Sequence, residues 1–414
     1  MDLTQTFRSM KIYNYRLWAI GAFVSNIGTW MQRVGQDWVV LTDLTHNNAT
    51  AVGIVMALQF GPQVFLMAVT GYAADYFDKR KLLIVTQSLM GVLALGLGLL
   101  TITGLVQLWH VYGFALALGI VAAFDAPARQ SFVSDVVDED NVQNAVALNA
   151  ASFNSARMIG PAVAGVMILA VGSGWVFILN AISFVAMLIA LALLRTSDLR
   201  SSQRKGSKPG SFVDGFRYVW KRPDLVTVLT MLFIIGTFGL NFPIYISTMA
   251  VSVFHAGSGE YGFLTSFMAV GSVIGALLAA AREKARIEIL LIGSAIFGIG
   301  CALAALMPNY WLFAITLTGI GIAAQTFTTS TNAYVQIATE PAMRGRVMAI
   351  LIAMLMGGTF IGAPIVGWVA DVFGARWSMG VGAAAGFAAL GVGAYYRFAF
   401  HRNAGQPTSD TSPG

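Results

Sequence analysis

Twelve apolar stretches, most of them about twenty residues or longer, follow one another along this chain, and that is the length a helix needs to cross the hydrocarbon of a bilayer. They run near residues 16–41, 50–72, 82–104, 109–130, 143–171 and 175–195, and again near 225–254, 260–281, 287–307, 310–336, 346–370 and 377–400. With no water in the hydrocarbon, every backbone polar group must be satisfied inside its own segment, so such runs have to be helices. The breaks are short: Asn47-Asn48, Gly172-Ser173-Gly174, Ala256-Gly257-Ser258-Gly259 and Pro308-Asn309. Short breaks make neighbouring helices antiparallel and leave no room for a soluble domain. The expected fold class is an all-α polytopic membrane protein with twelve transmembrane helices.

Composition supports a membrane solvent. Charged residues make up 11% of the chain, against about a quarter in soluble domains. Forty-four glycines would be costly in soluble helices, but small residues let membrane helices approach closely. The net charge of +6 sits in loops with no basic stripe interleaved with aromatics, so no nucleic-acid partner is expected. The single cysteine, Cys301, excludes internal disulfides and any cysteine-based metal site. His46, His110 and His255 fall in or beside loops, too widely spaced for a metal motif. There is no Gly-x-x-x-x-Gly-Lys-Ser/Thr loop for nucleotide phosphates and no buried Ser/His/Asp set, so neither an enzyme nor a cofactor is expected.

Basic residues set the orientation. With an internal N-terminus, every loop expected inside carries Lys or Arg, and the outward loops carry only Arg376, which places both termini in the cytoplasm. The first span, preceded by Arg8 and Lys11, has no short apolar core with a small-residue cleavage site and is expected to be retained. The longest break, with Arg200, Arg204, Lys205, Lys208, Lys221 and Arg222, divides the chain. Residues 1–195 form an N-terminal six-helix half, 196–223 a cytosolic basic linker, 224–402 a C-terminal six-helix half, and 403–414 a disordered cytosolic tail. In the linker, Phe212, Phe216, Tyr218, Val219 and Trp220 alternate with Asp214, Arg217 and Lys221, the pattern of a short amphipathic helix on the inner membrane surface. An internal repeat relates the halves: an offset of 202 takes Gly119 to Gly321, Ile159-Gly160 to Ile361-Gly362, Gly165 to Gly367, Gly172 to Gly374 and Trp175 to Trp377.

The turn Gly71-Tyr72-Ala73-Ala74-Asp75-Tyr76-Phe77-Asp78-Lys79-Arg80-Lys81 joins the second and third spans. A Gly four residues before an Asp allows close backbone approach beside a capping carboxylate, and the basic run marks the cytoplasmic side. The segment resembles the loop signature of the major facilitator superfamily, with Tyr76 where an Arg is common and Asp78 where a Gly is common. Phe124-Asp125-Ala126-Pro127-Ala128-Arg129-Gln130, the run from Asn149 to Pro161, Arg344-Gly345-Arg346-Val347-Met348, Asn14-Tyr15-Arg16-Leu17-Trp18 and Gly28-Thr29-Trp30-Met31-Gln32 are similar to the branch containing enterobactin and macrolide exporters. The resemblance implies two parallel six-helix repeats with a substrate site near the midplane between them. It implies that Asp75 caps the start of span eleven in the outward-facing state, that Lys79 and Asp125 link spans two and four, and that Gly160-Pro161 is the span-five antiporter motif. Arg80, Arg129, Arg344 and Arg346 complete the expected gate with Gly71.

Buried charge is where a mechanism is sought, since an unpaired Arg or Asp at a helix centre costs about 3 kcal/mol. Asn26, Trp30, Arg33 and Asp37 share one face of span one, and Arg33 with Asp37 can pair at i,i+4. Asp37 is the candidate proton carrier beside Arg33, or the two form a structural ion pair. Arg157 lies about 20 Å into span five and needs an acid, a carbonyl or an anionic substrate. Span ten offers Gln325, Thr328 or Thr329, Asn332 and Gln336, and span seven Asn241, Tyr245 and Thr248, for a polar, uncharged wall. Phe238, Phe242, Met354 and Met356 can add an adaptable apolar lining.

Without a nucleotide site, energy must come from a gradient: one charge crossing ~150 mV supplies about 3.5 kcal/mol, a concentration ratio of a few hundred-fold. The expectation is a monomeric, multi-pass protein of the bacterial cytoplasmic membrane whose partners are lipid, protons and a small amphipathic siderophore or drug-like solute exported by alternating access. The alternatives are an importer or facilitator, and a non-transporting receptor.

Overall fold

The computed structural model describes residues 7–200, 212–280, 286–341 and 343–404, apart from the side chains of Ala68, Tyr72, Ala74, Asp75, Phe212, Val213, Ala280 and residues 399–404. Nearly all of the expected tail, with Arg204, Lys205, Lys208, Arg282 and Lys284, lies outside the described residues. The helices are α1 Tyr13–Trp38, α2 Ala49–Phe65, α3 Met67–Tyr76, α4 Lys79–Ile102, α5 Leu108–Asp135, α6 Val142–Val171, α7 Ser173–Leu193 and α8 Phe212–Trp220. Then follow α9 Pro223–Ile234, α10 Phe242–Thr248, α11 Ser258–Ala280, α12 Ile287–Leu306, α13 Tyr310–Ala338, α14 Arg344–Phe373 and α15 Ala375–Ala404.

Among the described residues, ten helical passages are long and apolar enough to cross a membrane, with α9 and α10 counting as one passage through a break. The first two expected spans miss that measure for separate reasons. Asn14, Arg16, Asn26, Gln32, Arg33, Gln36 and Asp37 lower the hydropathy of α1. The second span is broken at Leu66, one turn after Pro62, into α2 and α3.

Boundaries recur at the offset seen in the sequence. α6 and α14 each run for 30 residues and stop at a glycine in the left-handed region, Gly172 with φ 90° and Gly374 with φ 98°. There a side chain would be strained, and the chain turns directly into α7 and α15. At a different offset, α1 and α10 also end alike: each passes into a π-helical turn, Val39–Leu44 and Met249–Val253. A histidine at positive φ follows in both, His46 at 49° and His255 at 51°.

α1 packs on α6 and α7, α4 on α5 and α7, and α12 on α13 and α15. Two seams join residues before the linker to residues after it, α2 against α14 and α6 against α11. Both are glycine-lined: a Cβ added at Gly165 would come 2.7 Å from the Ser258 carbonyl, and one at Gly367 would come 2.8 Å from the carbonyl carbon of Ala49. Backbones therefore approach closely.

One end of the bundle carries Arg8, the turn before α4, the α5–α6 turn and α8; it is the basic end, and the opposite end is distal. At the basic end Lys79 meets Asp135 at 2.7 Å, and Arg80 donates to the Leu191 carbonyl at 2.8 Å, closing the last turn of α7. α8 turns Val219 inward at 5% exposure and Trp220 outward at 81%, and Asp214 lies 3.9 Å from Arg346.

Candidate functional site

Between the two seams lies a cavity of about 450 Å³. α1 contributes Trp30, Arg33 and Asp37, α2 contributes Met56, Gln59 and Phe60, and α6 contributes Arg157. The far wall is Leu240, Phe242, Pro243 and Ile246 at the α9–α10 break, Tyr261 and Thr265 of α11, Gln325 and Thr328 of α13, and Leu355 and Met356 of α14. The break exists because Ile235–Gly239 forms a π-helical turn and α10 restarts with Pro243 in its first turn. It brings Leu240, Phe242 and Pro243 to the wall and leaves Asn241 off it.

The charged side chains are arranged differently from the expected pair. No ion pair forms between Arg33 and Asp37, although both line the cavity. Arg33 places its guanidinium carbon 4.7 Å from the centre of the Trp30 ring and 5.5 Å from that of Phe60. A planar, weakly hydrated guanidinium gains from aromatic faces, which outcompete the i,i+4 geometry here. Asp37, 7% exposed, accepts from the Tyr261 hydroxyl at 3.3 Å, a contact between α1 and α11. Arg157 donates to Gln325 Oε1 at 3.4 Å, and its Nε is buried without a partner.

Of the residues expected on the cavity, the structure gathers Trp30, Arg157 and Gln325 with Arg33 and Asp37. The others lie elsewhere. Asn26 faces α5 and accepts from Arg129 at 3.4 Å. Asn241 and Tyr245 are fully buried; Asn241 donates to the Thr237 carbonyl and Tyr245 to that of Phe238. Neither lines the cavity, so a stripe extrapolated through an unbroken helix mis-assigns them. Thr329 accepts from Gln325 at 3.0 Å, behind the lining, and Asn332 accepts from Gln336 one turn nearer the basic end.

The expected Lys79–Asp125 link is not made; Lys79 pairs with Asp135. α4 and α5 are antiparallel neighbours, so the first residue of α4 lies level with the last of α5, and Asp125 sits about 15 Å deeper. There Asp125 accepts from Thr86 Oγ1 and Gln87 Nε2, both at 2.7 Å, and from Arg129 Nε at 3.0 Å. Gly71 is exposed and a Cβ there would meet nothing within 4 Å, so no close backbone approach explains it. The Asp75 side chain lies outside the described residues, and its expected cap on α14 with it; the residue preceding α14, Met343, makes no side-chain cap. Arg344 is exposed. Gly160 packs on α1, where an added Cβ would come 2.6 Å from Trp30 Cβ, and the Pro161 carbonyl faces Gly262 across the α6–α11 seam.

Side-chain hydrogen bonds join the two sides of the linker around the cavity and at the distal end. They are Ser258 to the Gly165 carbonyl at 3.4 Å, Tyr261 to Asp37, Ser266 to the Met158 carbonyl at 2.9 Å, Arg157 to Gln325, and a cluster at Asp371. Asp371, in the last turn of α14, accepts from the Ala49 amide at 2.6 Å, the Thr50 amide at 2.9 Å and the Thr50 hydroxyl at 2.5 Å. A carboxylate from one side thus caps the N-terminus of α2 on the other. These bonds latch the distal end.

Sequence reasoning missed Tyr261, Gln59 and Asp371. Tyr261, Thr265, Met268 and Ser272 recur at helical spacing, and Gln59 is a polar residue in an apolar span, so both left a signal. Asp371 left no such signal, and only the α2–α14 seam gives it a role.

The model of the transmembrane secretion effector family matches residues 4–411. The chain is 27% identical over 358 residues to the staphyloferrin A transporter of Staphylococcus aureus, covering 85% of this chain and 88% of that one. It is 24% identical over 327 residues to the enterobactin exporter EntS of Shigella flexneri, covering 78% and 77%, and 23% identical over 367 residues to the multidrug efflux pump Tap of Mycolicibacterium fortuitum, covering 85% and 88%. In fold it is similar to a bacterial homologue of the human lysosomal transporter Spinster in its inward-facing, unoccupied conformation, with TM-score 0.74 at 14% identity over 96% of this chain and 99% of that one. A POT family transporter in complex with 5-aminolevulinic acid gives TM-score 0.76 at 11% identity over 95% and 96%. The chain belongs to the transmembrane secretion effector family of the major facilitator superfamily: a multi-pass membrane protein that is a secondary transporter of small organic molecules and not an enzyme.

Proposed function

We propose that this chain is a proton-driven exporter of a small amphipathic molecule, siderophore or drug-like, working by alternating access as a monomer in a bacterial cytoplasmic membrane. In this reading twelve helices form two parallel six-helix repeats, with the basic end cytoplasmic, both termini on that side, and the conformation inward-facing. The relatives named for siderophores and for multidrug efflux support the substrate class. The observation that carries the coupling is the contact of Asp37, the only acid among the described residues of the cavity wall, with Tyr261 across the α1–α11 contact. Hydrogen bonding favours the charged form of a carboxylate and desolvation its neutral form. In this scheme Asp37 hands a proton toward the basic end while the distal side is closed and Tyr261 reaches it. When the distal side opens and the two part, it collects one from outside. Each cycle then carries a proton inward while the cavity carries solute outward.

The test is transport in proteoliposomes with imposed pH and voltage gradients, over a panel of siderophores and amphipathic drugs. Export reading predicts accumulation on the proton-rich side of at least one panel member, abolished by a protonophore. Accumulation on the opposite side would make the protein an importer, and gradient-independent equilibration would make it a facilitator.

A further inference from the structure

The cavity wall carries two guanidinium groups and one carboxylate, and neither guanidinium is paired. Arg33 rests its faces on Trp30 and Phe60, which leaves its edge N–H groups without a carboxylate. Arg157 has one long hydrogen bond, to Gln325 at 3.4 Å, and a buried Nε with no acceptor. The acid, Asp37, is held by Tyr261. Among the described residues of this wall, Arg33, Asp37, Arg157 and Tyr261 are the charged and titratable groups. With Asp37 ionised the wall has one positive charge in excess, and with Asp37 protonated it has two. A buried guanidinium with unfilled donors is costly, and the geometry that fills it best is a two-oxygen anion in its plane.

We propose that the cavity binds an organic anion, its carboxylate or sulfonate held between Arg157 and Arg33 and its apolar body laid against Phe60, Phe242 and Met356. This rests on reading the cavity as the substrate site and names the chemistry it selects. A cation meets a wall of its own sign, and a neutral amphiphile leaves Arg157 unfilled. An anion also gains from the membrane itself, because a potential negative inside drives it outward. Arg157 is a specificity residue in this scheme: its Nε and one terminal nitrogen make a fork that Lys cannot present.

The test is equilibrium binding of tritiated 2-naphthoate to the full chain in nanodiscs, without any gradient. Competitors are 2-naphthalenesulfonate, 2-naphthamide and 2-naphthylmethylammonium, which share one apolar body. The expected order has both anions at least tenfold tighter than the amide, and the ammonium weakest. Arg157→Gln and Arg33→Gln each reduce 2-naphthoate affinity at least tenfold and leave 2-naphthamide affinity within about twofold, which also shows that the variants are folded. Asp37→Asn tightens 2-naphthoate. Amide binding as tight as acid binding, ammonium preferred over acid, no measurable binding of either anion, or unchanged 2-naphthoate affinity in both arginine variants would each overturn the proposal. Tight anion binding with no pH-driven flux would refute the proton-driven exporter and leave the anion site standing, whereas pH-driven export of a cation alone would do the reverse.

Discussion

Removal of the Asp371 carboxylate is predicted to unlatch the distal face. In the structure it accepts the Ala49 amide, the Thr50 amide and the Thr50 hydroxyl, so one side chain of α14 closes the first turn of α2. Asn48 keeps its own cap on the Ala51 amide, so what is lost is the hydrogen bonds from the first two amides, worth about 1 kcal/mol, and a negative charge at a helix N-terminus, worth about another 1 kcal/mol in a partly buried setting. Together they are worth about 2 kcal/mol, which changes a two-state ratio about thirty-fold. These bonds exist only when α2 and α14 meet at the distal end, so the whole amount acts on the ratio of distally closed to distally open molecules. Asp371→Ala should raise the distally open population about thirty-fold, and Asp371→Asn, which keeps one acceptor oxygen, should raise it less. The assay is double electron–electron resonance with spin labels at the exposed residues Asn47 and Trp377, and a second pair at Glu139 and Glu340 across the basic end. Widening at the distal pair with narrowing at the basic pair is the expected result. Distance distributions that match the unsubstituted chain in both variants would show that Asp371 merely caps a helix and carries no share of the gate.

Asp37→Asn should keep ligand binding and lose uphill export in a pH gradient; full gradient-driven export by this variant would exclude Asp37 as the carrier. Tyr261→Phe removes the donor to Asp37 and should shift the pH dependence of export while leaving the cavity volume unchanged; an identical pH profile would show that the two groups do not couple. Asp125→Ala should destabilise the fold by about 3 kcal/mol, because it strands Thr86, Gln87 and Arg129. Lys79→Ala should cost about 2 kcal/mol, less than Asp125→Ala, because it removes one donor to the mostly buried Asp135 rather than the acceptor of three donors. Unfolding in mixed micelles would reverse that assignment if the Lys79 variant proved the weaker.

The bundle was legible because membrane helices write their length into the sequence. Ten apolar stretches became helices long enough to cross, and the offset of 202 reappears in the paired ends at Gly172 and Gly374. Side-chain register within a continuous helix was also legible: Trp30, Arg33 and Asp37 lie at spacings of three and four and face one cavity. Register failed where the helix was not continuous. Asn241 and Tyr245 follow a π-helical turn and a restart, and an extra residue per turn rotates everything beyond it. Pairing failed where depth was ignored, as with Lys79, whose partner had to be the acid at the same level across an antiparallel neighbour. Partners between distant segments, such as Tyr261 with Asp37 and Asp371 with α2, leave no local trace, because each depends on how the two seams close.

The most direct measurement is simultaneous recording of solute flux and internal pH in proteoliposomes holding the purified chain. Adding an exported anion on the basic-end side should draw protons in the opposite direction at a fixed ratio, and Asp37→Asn should abolish the proton signal together with uphill movement of the solute. Solute export with no accompanying proton movement, or proton and solute moving in the same direction, would contradict it.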